Sequence, residues 1–372
     1  MARDTSLRPP RGLTVLELLV AMAAMLVVIA LVVRAMIGLQ HDQALRQKVS
    51  ALQTNARQAL SIMTWDLRHA SLGTGSGVVW TGAGVRRPAV QIFTSIGGGS
   101  AASLSDAKPG TDALLVVEAA PASAERTVAV TPLSSSFLTL TVSDASAFHA
   151  DDTLLVGDYG DASWGRVSAV NTDVSPNQIT LAAQAVVPGA VSQLGTGALV
   201  RGARARLFYV TTADELVRLT VTDPRAPLAS EVVDRAVLSP GVENLQLDCQ
   251  LDDTSGGFVA CSDATNPAPV LVGDPITTEA VATFGAFGTG GGPRLTAANV
   301  GLLRAVVVQI ALRSPTPLAD GAGDAPIPIY GTLAAPAALG PGAATGMRAD
   351  ALFPRRAYRV TTAVRNTSLW SF

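Results

Sequence analysis

The chain has 372 residues, 48% of them hydrophobic and 15% charged, with a formal net charge of −2. That balance excludes a disordered tail, which carries few apolar residues and a large net charge, and it lacks the basic excess of a nucleic-acid binder. The length suits two domains or one large β-rich domain. Basic charge is carried almost wholly by arginine, since Lys48 and Lys108 are the only lysines.

In chain order the first element is an apolar run from Leu13 to Val33, broken only by Thr14 and Glu17. At ~1.5 Å per residue a helix over this run spans roughly 30 Å, the thickness of a bilayer's hydrocarbon core. The leader before it contains Arg3, Arg8 and Arg11 against Asp4, a bias that holds it in the cytoplasm and places the chain beyond the apolar run on the other side of the membrane.

Three readings compete for this N-terminus. A secretory signal peptide has a shorter apolar region and a small-x-small cleavage site, which Ala21-Met22-Ala23 would supply, but here the apolar run continues well past Ala23. A plain signal anchor explains the length and leaves Glu17 as a costly carboxylate in lipid. The third reading rests on Gly12-Leu13-Thr14-Val15-Leu16-Glu17-Leu18, which resembles the type IV prepilin cleavage and methylation motif. The resemblance implies a cut between Gly12 and Leu13, methylation of the new Leu13 amine, and pairing of Glu17 with the N-terminal amine of a neighbouring subunit. A charge paired in this way is tolerable in a low-dielectric bundle.

Past the apolar run, Leu45, Val49, Leu52, Ala56, Leu60, Met63 and Leu67 recur at steps of three and four, which predicts one apolar stripe along a helix. Gly38 is the only glycine and there is no proline in this stretch, so a single helix of roughly 85 Å is expected from about Leu13 to Ala70. Its first half is apolar all round and its second half amphipathic, the form of a pilin stem. An anchor followed by an unrelated core helix would show the same periodicity.

Gly73-Thr74-Gly75-Ser76-Gly77 is expected to end the helix. Beyond it the pattern changes to short alternating runs, which predict strands at Val90–Thr94, Ala113–Glu118, Thr127–Thr131, Phe137–Val142 and Thr153–Gly157. Further strands are expected at Gly165–Val170, Gln178–Ala182, Ala203–Val210, Leu216–Thr220, Val242–Leu251, Leu303–Leu312 and Arg356–Val364. The Gly- and Pro-rich stretches Gly97–Gly110, Gly285–Pro293 and Pro315–Gly346 read as exposed loops. The expected fold is α+β and pilin-like: a leader over 1–12, a transmembrane and stem helix over 13–71, and a β-rich head over 72–372.

Within the head, Phe148 to Val156, Ala203 to Val210, Gly241 to Leu247, Leu303 to Arg313 and Arg355 to Asn366 resemble the heads of PilW-type minor pilins. That resemblance implies a low-abundance subunit that primes type IV pilus assembly near the filament tip and has no enzymatic activity. It implies as partners a prepilin peptidase that also methylates, other minor and major pilins, an inner-membrane assembly platform and membrane lipid. The implied location is the inner membrane, with the head in the periplasm, and then the pilus tip. A type II secretion minor pseudopilin would share the N-terminus and stem.

Cys249 and Cys261, the only cysteines, flank a polar loop in a head expected to be exported, which favours a disulfide over two free thiols. Neither Asp248, Asp252 and Asp253 nor Asp151, Asp152, Asp158 and Asp161 follow an EF-hand spacing, so solvated turns are the better reading, with Asp248, Asp252 and Asp253 the one weak candidate for Ca²⁺. His41, His69 and His149 form no metal motif, and no catalytic or nucleotide-binding motif occurs, so no cofactor is expected. A membrane-anchored enzyme and a tip adhesin are the rival classes. An enzyme has no use for a cleavable leader followed by a membrane carboxylate, and no Tyr- or Trp-rich patch marks an adhesin.

Overall fold

The computed structural model describes residues 15–70, 78–80, 86–93, 106–132, 137–157, 162–182, 198–222, 232–252, 258–260, 303–313 and 355–364. Helix α1 runs without interruption over Val15–His69. Glu17 lies in its first turn and Arg68 and His69 in its last, charges that complement the helix dipole at both ends. The chain divides into two compact units, Met1–Ala51 and Leu52–Phe372.

In the first unit, side chains from Val15 to Leu39 are exposed on every side of the helix. The segment Val15–Gln40 is long and apolar enough to span a membrane.

The second unit begins with the amphipathic half of α1. The predicted stripe is buried from Leu52 onward, through Ala56, Met63 and Leu67, with Ala59 and Ala70 joining it and Leu60 packed at its margin. The side chains of Leu45 and Val49 lie outside the described residues.

Two sheets complete this unit. The smaller is an antiparallel run of β12 (Val242–Asp252), β14 (Leu303–Arg313) and β15 (Arg355–Ala363), with β13 (Phe258–Ala260) at the outer edge of β12. The larger holds β1 (Val78–Trp80), β2 (Arg86–Pro88), β3 (Val90–Phe93), β4 (Ala113–Pro132), β5 (Phe137–Val142) and β6 (Thr153–Gly157). It also holds β7 (Ala162–Asn171), β8 (Asn177–Ala182), β9 (Leu199–Val210), β10 (Glu215–Val221) and β11 (Val232–Pro240). The head is therefore β-rich and the fold α+β.

The larger sheet curls until it closes on itself. β4 pairs with β5, β5 with β8, β8 with β7, β7 with β6, β6 with β9, and β9 again with β4, all antiparallel. The result is a six-stranded barrel. Leu140, Val142, Leu154, Val156, Val167, Ile179, Leu181 and Val200 fill it, joined by Ala145 and Phe148 from the β5–β6 connection. A barrel of so few strands is filled by its own side chains and leaves no lumen.

Alternation along β4 and β9 then builds two further cores. Leu114, Val116, Phe208 and Val210 join the stripe of α1 and the inner residues of β12 and β14. Ala113, Leu115, Val117, Ala205, Leu207 and Tyr209 face the other way, into a core with Phe93 and Trp164. With both faces covered, these strands read as continuous apolar runs, and the period-2 signal is lost in Ala113-Leu114-Leu115-Val116-Val117.

Several expectations are corrected. Ala113–Glu118 and Thr127–Thr131 belong to one long strand, β4, whose pairing with β9 shifts register between Ala119 and Ala124. The loop expected over Gly97–Gly110 is not exposed at its end: Ala107 and Lys108 are buried, because the turn they form is bonded to β9. Strands β1, β2, β11 and β13 are additions to the strands expected from the sequence. β11 is an edge strand with most of its residues exposed, so burial imposes no alternation on it. The loops expected at Gly73–Gly77, Gly285–Pro293 and Pro315–Gly346 lie outside the described residues.

Candidate functional site

The processing residues Gly12 and Leu13 lie outside the described residues. Glu17 sits in the first turn of α1, exposed within the apolar segment. It is the only acidic residue in the membrane-length stretch Val15–Gln40, and Arg34, toward the far end, is the only basic one. The chemistry available at the start of this rod is a single carboxylate among apolar side chains.

Cys249 is disulfide-bonded and wholly buried in the core beneath α1. It is cross-strand from Val306 on β14. Cys261, the other cysteine of the chain, lies outside the described residues. Asp248 is buried, and its Oδ1 accepts the N–H of Cys249 at 2.9 Å. The side chain of Asp252 and all of Asp253 lie outside the described residues. Among the described residues no group of three or more His, Cys, Asp or Glu side chains is placed to hold a metal ion.

The other candidates are scattered. His69 Nδ1–H donates to the Trp65 carbonyl (2.8 Å), with its ring 4.2 Å from that of Trp65. His149 and Asp152 sit at one end of the barrel, where Asp152 Oδ2 accepts the His149 N–H at 2.7 Å. Asp151 pairs with Arg166 at 3.1 Å. The side chain of His41 and residues Asp158 and Asp161 lie outside the described residues.

Two polar clusters escape sequence reasoning. In the first, Asp66 of α1 is 1% exposed and bonded to Arg206 of β9. Arg206 also pairs with Glu118 of β4 at 3.0 Å, and Arg218 of β10 reaches Asp66 at 3.9 Å. Desolvation pushes the carboxyl groups of both Asp66 and Glu118 above their ordinary range, against the lowering pull of the arginines. The cluster holds the amphipathic half of α1 to three strands. A lone Asp in a helical stripe carries no signal of this, because its partner is 140 residues away.

The second cluster is a joint at the turn over residues 106–112. Lys108 N–H donates to the Val210 carbonyl (2.8 Å), and Lys108 Nζ meets Asp214 Oδ1 at 2.7 Å. Asp106 accepts from Tyr209 Oη (3.0 Å) and from Arg235 (2.8 Å). Burial is the main cause that raises the Tyr209 phenol to about 12, so it stays protonated as the donor. The same turn grips the smaller sheet: Asp112 N–H donates to the Leu245 carbonyl (2.9 Å), and Asp112 Oδ2 accepts from Leu247 N–H (2.7 Å). Seven residues thus tie both sheets together.

No protein family, curated protein or solved structure matches this chain.

Proposed function

We propose that this chain is a type IV pilin-like subunit, a minor pilin of the PilW type, which takes part in filament assembly and has no catalysis of its own. The observation that carries the reading is the helix: an apolar segment, Val15–Gln40, with Glu17 in its first turn, continuous with an amphipathic half buried in a β-rich head. An apolar rod with one carboxylate at its start suits a site among like rods, where a neighbour's N-terminal amine supplies the opposite charge.

In this reading a prepilin peptidase cuts between Gly12 and Leu13 and methylates the new amine. The chain waits in the inner membrane with its leader in the cytoplasm and its head in the periplasm, then docks with other pilins at an assembly platform. The head selects which neighbours fit. The decisive experiment is mass spectrometry of the protein purified from its membrane. A mature start at Leu13 with a methylated amine is expected; an intact leader or a cut near Ala23 would reject the reading.

A further inference from the structure

We propose that Lys108 and Asp214 form a side-chain amide, an intramolecular isopeptide bond that the head makes for itself. The two side chains are almost fully buried, at 11% and 8% exposure, and Nζ lies 2.7 Å from Oδ1. A nitrogen at that distance from a carboxyl oxygen is close to the about 3–3.5 Å approach to carbon from which addition begins.

Composition makes the residue type informative. Apart from Lys48 and Lys108, every Lys or Arg in the chain is arginine. A guanidinium serves a buried ion pair at least as well as an ammonium, but only lysine gives a nucleophilic amine on losing a proton. Lysine at this buried position is what amide formation requires and what a plain ion pair does not.

The chemistry balances with no added reagent. Transfer of the shared proton along the 2.7 Å hydrogen bond turns ammonium and carboxylate into amine and carboxylic acid. Nζ then attacks Cγ of Asp214, one C–O bond breaks, and hydroxide leaves with a proton from nitrogen as water.

The bond would join positions 106 residues apart and fix the turn before β4 covalently to the β9–β10 turn, both in the larger sheet. The test is peptide mapping of the full-length protein, purified in detergent, reduced and digested. The expected result is a branched peptide containing Lys108 and Asp214, lighter by one water than its two arms, in nearly all molecules. Separate peptides, with Lys108 labelled by an amine reagent in denaturant, would overturn the proposal, and this measurement needs no variant. Lys108→Arg should fold and show no branched peptide.

Discussion

Asp66, in the last turns of the stem helix, is bonded to Arg206 in the middle of β9, and the pair is shared with Glu118 and Arg218. Both carboxylates are buried with Arg206 between them, and Asp66 has Arg218 as a second, longer partner. Arg206→Ala takes the bonded guanidinium from both carboxylates, leaving Asp66 only the longer contact with Arg218, and should cost about 3–5 kcal/mol. Asp66→Asn leaves the Arg206–Glu118 pair intact and should cost clearly less. Urea denaturation of the two variants gives the order.

The same cluster sets a pH dependence. The folded-state values of Asp66 and Glu118 are raised above the ordinary 3.8 and 4.5. The folded head therefore binds their protons more readily than the unfolded chain does. Their contribution to stability is full below those ordinary values and is lost as pH rises through the raised ones. Urea midpoints measured from mildly acidic to neutral pH should show this decline. Asp66→Asn should flatten it, and an unchanged slope would contradict the assignment.

Met63 is wholly buried where α1 meets the strands of both sheets. Met63→Ala should destabilise the head by about 2–5 kcal/mol, through lost transfer energy and the cavity left behind. Trp65, two positions along and 62% exposed, should tolerate alanine with little change. Equal losses at both positions would mean that the helix is not packed by the face assigned to it.

Cys249 is bonded inside this core, so the purified protein should resist thiol labelling in denaturant until reductant is added. Replacing both Cys249 and Cys261 with alanine should cost about 3 kcal/mol, the scale expected for a short closed loop. Serine should be worse than alanine at 249, because it places a hydroxyl in an apolar core.

Glu17 lies outside the unit Leu52–Phe372, which holds all three cores. Glu17→Ala should therefore leave head stability and membrane level unchanged while lowering filament number. The measurement compares surface filaments and membrane-bound protein in a strain that expresses only the variant. Normal filaments at normal protein level would remove the docking role proposed for this carboxylate.

Much of this molecule was legible in order along the chain. An apolar run without proline specifies a helix because nothing in it breaks the hydrogen-bond ladder, and the i, i+3, i+4 stripe from Leu52 to Leu67 names the face that is buried. The runs at Phe137–Val142 and Thr153–Gly157 became strands with the expected bounds. Such signals are local, carried by neighbours a few residues apart. What remained to the tertiary structure was the partner of each element. That β6 pairs with both β7 and β9, and so closes a barrel, depends on register between segments that no periodicity relates. A buried Lys108 at the end of a Gly-rich loop was likewise invisible, because its burial comes from Val210 and Asp214 more than a hundred residues later. Local pattern decides which face of an element turns inward. The choice of what it meets there is made by long-range packing and by the need of each buried charge for a partner.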